Sequence, residues 1–167
     1  MTKNIIWTTV FSIIAGILQS TLLSHLAVNH AVPDFALGIL VFTAYQNGAM
    51  TGQLSGFCSG ILLDFLSAAP LGLNAFVRTL VGAFAGRMNG TFFLDSFFLP
   101  MALCAGATAI KAALYFVLHI LFSGAIPFYA LSESTLWIEL AINTVTAPLL
   151  FGFLKLFNTL LIGKRES

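Results

Sequence analysis

From Ile5 onward the sequence is a run of long apolar stretches with only short polar breaks between them. A helix that crosses the hydrocarbon core of a bilayer needs roughly 20 apolar residues, with a range of about 17–25. About six such spans with short loops use nearly all of the 167 residues. Charge decides what surrounds them. Seven basic and six acidic side chains, 8% of the chain, are too few to cover a protein surface that faces water. Soluble domains carry about a quarter charged residues. The predicted fold class is therefore all-α: a polytopic integral membrane bundle of about six transmembrane helices, with residues 1–167 forming a single transmembrane domain.

The same composition excludes other classes. A net charge of +1 without a basic run argues against nucleic acid as a partner. His25, His30 and His119 are scattered, and Cys58 and Cys104 lie far apart inside apolar segments, so no metal-site spacing is present. No Gly-x-Ser-x-Gly, His-Glu-x-x-His or phosphate-binding loop occurs, and the charged groups are spread one per helix. The expectation is a non-enzyme without a cofactor. The first apolar stretch follows Lys3 and runs to about Val28, longer than the core of a signal peptide, so it reads as an uncleaved first span.

Breakers place the expected spans at Ile5–Leu26, Phe35–Tyr45, Ala49–Leu66, Leu73–Met88, Phe97–Phe122 and Trp137–Leu161. Gln46-Asn47-Gly48 ends the second, and Pro70 with Gly72 separates the third from the fourth. Phe35 to Leu66 could be one bent helix, but that would move Arg87 to the side opposite Lys3. With six spans, Lys3, Arg87, Lys164 and Arg165 share one side, the positive-inside pattern with both termini cytoplasmic.

Several polar and small residues stand out inside the apolar stretches. Gly52, Gly56 and Gly60 recur every fourth residue, and Gly82 and Gly86 echo them. Such faces let backbones approach closely, either between helices of one protomer or against a partner helix. Charges within a membrane are costly and face the interior, a cavity or a partner. Asp64 and Arg78 fall at similar depth on either side of one hairpin, so an ion pair between them is expected, with Asn74 extending it. Lys111 lies mid-span and needs a partner, with Asp64, Glu139 and Asn143 available by depth. Asp34 after Pro33 reads as a helix N-cap.

Several short pieces recur in a recognisable order. They are Leu18-Gln19-Ser20, Pro33-Asp34-Phe35, Gly48 with Gly52, Gly56-Phe57 and Gly60-Ile61-Leu62-Leu63-Asp64. Pro70-Leu71-Gly72-Leu73-Asn74-Ala75 and Val81-Gly82 leading to Gly86-Arg87 complete the set. Together they resemble the MreD family of bacterial rod shape-determining proteins, over the first half of the chain. The resemblance implies a non-catalytic scaffold of the cytoplasmic membrane that serves the cell-wall elongation machinery. Its implied partners are a single-span MreC-like protein, the actin-like MreB, RodA, a class B penicillin-binding protein and membrane lipid. The family fold is similar to the substrate-binding subunits of energy-coupling factor vitamin transporters. That likeness supplies an alternative: a transporter subunit with a closed polar pocket built from Asn74, Arg78, Lys111 and Glu139.

Overall fold

A computed structural model describes residues 2–21, 32–67, 70–91, 97–122 and 134–162. Among them every regular element is helical: α1 (Thr2–Thr21), α2 (Phe35–Asn47), α3 (Ala49–Leu66), α4 (Leu73–Arg87), α5 (Phe98–Leu121), α6 (Ser134–Lys155) and α7 (Asn158–Leu161). The histidines His25 and His30 and the basic tail Lys164-Arg165 lie outside the described residues.

Local chemistry sets the breaks. Gly48 separates α2 from α3 with φ of 90°, a conformation that side chains with a Cβ resist. It rules out one continuous helix from Phe35 to Leu66. Gly72 does the same before α4, with φ of 93°. The expected last span divides: α6 ends at Lys155, and a turn at Leu156 and Phe157 leads into the short α7.

Direction alternates from α1 to α6, as pairs of contacts along each helix show. Asn4, near the start of α1, donates to Asn47 at the end of α2, while Gln19, near the end of α1, accepts from Ala36 at the start of α2. Gly52, Gly56 and Gly60 of α3 meet Gly82, Arg78 and Ala75 of α4 in reverse order. Cys104 lies beside Gly38, and Lys111 reaches Asp34, which orients α5. Glu139 meets Lys111 and Leu150 meets Gly38, which sends α6 back. The bundle thus has an Asp34 end and an Asn47 end. At the latter, Asn47 also donates to the Leu161 carbonyl and Lys3 to the Thr159 carbonyl, tying α7 to α1 and α2.

Polarity runs inside out relative to a water-soluble protein. On α3, Ser55, Ser59, Asp64 and the three glycines are buried, whereas Met50, Phe57 and Phe65 are exposed. On α1, Asn4, Thr8 and Ser12 face inward and Ile6, Ile14 and Ile17 face out. Lipid favours this arrangement, because it solvates apolar side chains and leaves polar groups to satisfy one another. Three helices, α1, α5 and α6, are long and apolar enough to cross a membrane, and α2 is a shorter apolar helix. Ala36 through Tyr45 of α2 are all buried, so it is the centre of the bundle and is apolar all round for that reason. Phe42 anchors it edge-on to Phe151 of α6, with ring centroids 5.2 Å apart.

Candidate functional site

Asp34 organises the interior at its end of the bundle. As expected for a residue that follows proline, it caps α2, its Oδ1 accepting from the Leu37 N–H at 2.9 Å. The same carboxylate also receives two cations. Arg78 Nη2 of α4 donates to Oδ1 at 3.0 Å and to Oδ2 at 3.3 Å. Lys111 Nζ of α5 donates to Oδ2 at 2.8 Å and to Glu139 Oε1 of α6 at 2.7 Å. Asn143 Oδ1 accepts from the Asp34 N–H at 2.8 Å, and its Nδ2 donates to Thr108 on α5. Four helices therefore meet through one buried network of two acids and two bases, whose formal charges cancel. Burial makes each partner consequential, because removing one strands the other away from water.

The expected ion pair between Asp64 and Arg78 does not form. Asp64 stands at the end of α3, opposite the start of α4, where the first N–H groups of a helix have no partner of their own. Its Oδ2 accepts from the Gly72 N–H at 2.9 Å and the Ala75 N–H at 3.2 Å. Its Oδ1 accepts from the Asn74 N–H at 2.9 Å and the Asn74 Nδ2 at 3.0 Å. A carboxylate from one helix thus caps the next, and Pro70 and Gly72 shape the turn that brings them together. Arg78 lies further along α4 and turns to Asp34 instead. Of the three partners expected for Lys111, Glu139 is one; Asp64 is occupied by backbone, and Asn143 serves Asp34.

Glycine positions define a second feature. A Cβ at Gly52, Gly56 or Gly60 would land on backbone atoms of Gly82, Arg78 or Ala75, and one at Gly86 on Ala49. Both glycine faces are therefore spent on each other within one chain. The helices α3 and α4 lie with their backbones in contact, and the alternative use of this face, docking a partner helix, has no room.

Asp34, Asp64, Asn74 and Arg78 gather at one end, with Lys111 reaching in from α5. Gly52 lies toward the other end of the same seam. Two polar residues complete this end: Asn143, expected as a partner for Lys111 but serving the Asp34 backbone instead, and Gln19, for which spacing suggested no role. Asn143 lies one turn beyond Glu139 on α6, and that i, i+4 pair of polar groups in an apolar helix was the available signal. Of the residues expected to line a closed polar pocket, Lys111 pairs with Glu139 and Asp34, whereas Asn74 and Arg78 border a cavity of their own. Beside Asn143 and Thr108 only about 10 Å³ remains, room for no more than a water. A larger cavity of about 340 Å³ opens on the other side of Asp34, lined by Gly16, Gln19, Leu63, Leu66, Asn74 and Arg78 among others.

The family model for rod shape-determining protein MreD matches residues 1–157, and the chain belongs to that family. The match extends well past Arg87, where the recognisable motifs stop, through α5 and α6, which carry Lys111 and Glu139. No curated protein and no solved structure matches the chain. Membership implies a role in rod shape determination, association with the shape-determining machinery, and a membrane location consistent with the three long apolar helices.

Proposed function

We propose that this member of the MreD family is a non-catalytic intramembrane scaffold of the cell-wall elongation machinery. It is a single transmembrane domain of six crossings in the cytoplasmic membrane, with both termini cytoplasmic and a single-span MreC-like protein as its direct partner. The observation that carries this reading is how the polar groups are spent. Asp34, Lys111 and Glu139 engage one another, Arg78 meets Asp34, and Asp64 is consumed by the backbone of α4. No pair of ionisable groups is left poised for acid–base work in this network, and what the bundle offers outward is mainly apolar helix surface. Rigidity suits a scaffold: one network fastens α2, α4, α5 and α6, and the glycine seam fastens α3 to α4.

The cytoplasmic side is the Asn47 end, where Lys3 and Arg87 lie, in keeping with the positive-inside bias. The receiving surface is the apolar groove of about 330 Å³ between α1 and α6, walled by Phe11, Ile14, Leu18, Leu149 and Phe153. An apolar helix seated there would interdigitate with these side chains through close packing, the main attraction between helices in lipid. The transporter-subunit alternative requires free polar groups in a closed pocket, and the mutual pairing of Lys111 and Glu139 weighs against it.

The test is co-purification of the MreC-like partner with variants that fill the groove, Ile14→Trp and Leu149→Trp, each exposed in the structure. Phe116→Trp on α5 is the control. Partner recovery falls for the groove variants at unchanged protein level if the reading is right. Equal recovery from all three would remove this groove from consideration.

A further inference from the structure

The four residues of α7 are too few to hold a helix by themselves, because a first turn fixes more backbone freedom than its hydrogen bond returns. What seats α7 is contact with the bundle at the Asn47 end. Leu161 is fully buried, and its carbonyl accepts from Asn47 Nδ2 at 2.8 Å. The Thr159 carbonyl accepts from Lys3 Nζ at 3.1 Å. An element anchored this lightly belongs to the low-stability end of a structure, and it opens before the bundle around it does.

The same element reaches the groove between α1 and α6. After Lys155 the chain tightens, with the Leu156 N–H donating to the Phe153 carbonyl and the Phe157 N–H to the Leu154 carbonyl. That turn sets the ring of Phe157, the N-cap of α7, against Phe11 of α1 with centroids 5.2 Å apart. It sets the same ring against Phe153 of α6 at 5.3 Å. Phe11 and Phe153 are groove walls at its Asn47 end, whereas Phe157, Leu161 and Lys3 do not line it. One ring outside the groove therefore touches both of its sides.

We infer that α7 is a latch that regulates docking in this groove. Seated, it holds Phe11 and Phe153 through Phe157 in the arrangement that receives a helix. Released, it carries Phe157 away and both walls lose their support. The inference rests on the groove being the seat of the partner helix. Walls already in place cost an incoming helix less to order, so a seated α7 favours docking. Linkage then acts in both directions: an occupied groove holds α7 in place by the same factor that a seated α7 tightens docking. Because α7 lies at the end assigned to the cytoplasm, events there gain a route to an interface within the membrane.

The test uses the full chain in detergent, alone and with the MreC-like partner, and follows amide exchange at Leu160, Leu161 and Ile162, whose N–H groups close the turn of α7. With the partner bound, exchange at these positions slows about fivefold or more, the lower end of ordinary coupling between two sites. Leu161→Ser unseats α7 without touching the groove and lowers partner recovery by about the same factor. Lys3→Met is a milder second variant with a smaller fall. In a Phe157→Ala chain, adding Leu161→Ser lowers recovery no further, because the link is already cut. Unchanged exchange on partner binding, or full recovery by a Leu161→Ser protein whose α7 exchanges freely, overturns the latch. A further fall in the Phe157→Ala background overturns Phe157 as the link. If Ile14→Trp leaves partner recovery intact, the groove assignment fails instead, and the latch is judged on the protein alone. There Trp7, whose ring lies 6.2 Å from Phe11, is followed by fluorescence anisotropy in a Trp137→Phe background. Its anisotropy falls when Leu161→Ser frees the ring stack, and an unchanged value overturns the tie between α7 and the groove wall. Exchange in the unmodified protein decides the matter even if no variant folds.

Discussion

Replacing Asp34 with asparagine separates its charge from its shape. Asparagine caps helices as well as aspartate, so the bond from the Leu37 N–H survives. What disappears is the negative charge that faces Arg78 and Lys111, and the buried network goes from neutral to +1. Lys111 keeps Glu139 at 2.7 Å, whereas Arg78 loses its carboxylate partner among the described residues. Removing one member of a buried pair costs about 3–5 kcal/mol, and the surviving Lys111–Glu139 bond places this variant in the lower half of that range. An unfolded chain that stays in the membrane recovers some partners of its own, which trims the figure further. Arg78→Met costs less, because Asp34 retains Lys111. The double variant Asp34→Asn with Arg78→Met removes the stranded cation, so its cost falls short of the sum of the singles by about 1–3 kcal/mol. Reversible unfolding in mixed micelles, followed by the fluorescence of Trp7 and Trp137, measures all three. An Asp34→Asn protein within about 1 kcal/mol of the parent, or strictly additive energies, would refute the claim that this pair is buried and mutually dependent.

Other substitutions probe the rest of the framework. Gly56→Ala drives a methyl group onto the Arg78 carbonyl and costs about 2–3 kcal/mol or more by forcing α3 from α4, while Gly106→Ala meets open space and stays within about 1 kcal/mol, both read from the same unfolding curves. Asp64→Asn leaves one acceptor oxygen for the donors of Gly72, Asn74 and Ala75, and loses about 2–3 kcal/mol along with faster amide exchange at the start of α4. Gly72→Ala meets no neighbouring atom, so its cost is backbone strain alone, about 1–2 kcal/mol in the same assay. Glu139→Gln leaves Lys111 with Asp34, and is milder than Asp34→Asn; the reverse order would show that Glu139 is the true centre of the network.

Much of the architecture was written locally. Apolar stretches of bilayer length and a scarcity of charge specify lipid as the solvent, because no folding of such a chain can hide its surface from water. Helix boundaries followed from single residues whose conformational limits act in place: Pro33-Asp34 opens α2, Gly48 ends it, and Gly72 starts α4. The glycine spacing announced a close helix contact for the same reason, since an absent side chain permits approach whatever the neighbour is. The pairing of the charges was a different matter. Spacing along a helix gives the depth of Arg78 but not the neighbour its face will turn toward, and at that depth Asp64 was as plausible as any acid. The partner proved to be Asp34, 44 residues back in the chain, with Lys111 arriving from 77 residues beyond it. Only the packing of α2 at the centre puts that carboxylate within reach of both cations. The choice belongs to the tertiary structure because a buried ion is satisfied by whichever group the assembled helices bring within hydrogen-bonding distance, and sequence neighbours hold no privilege there.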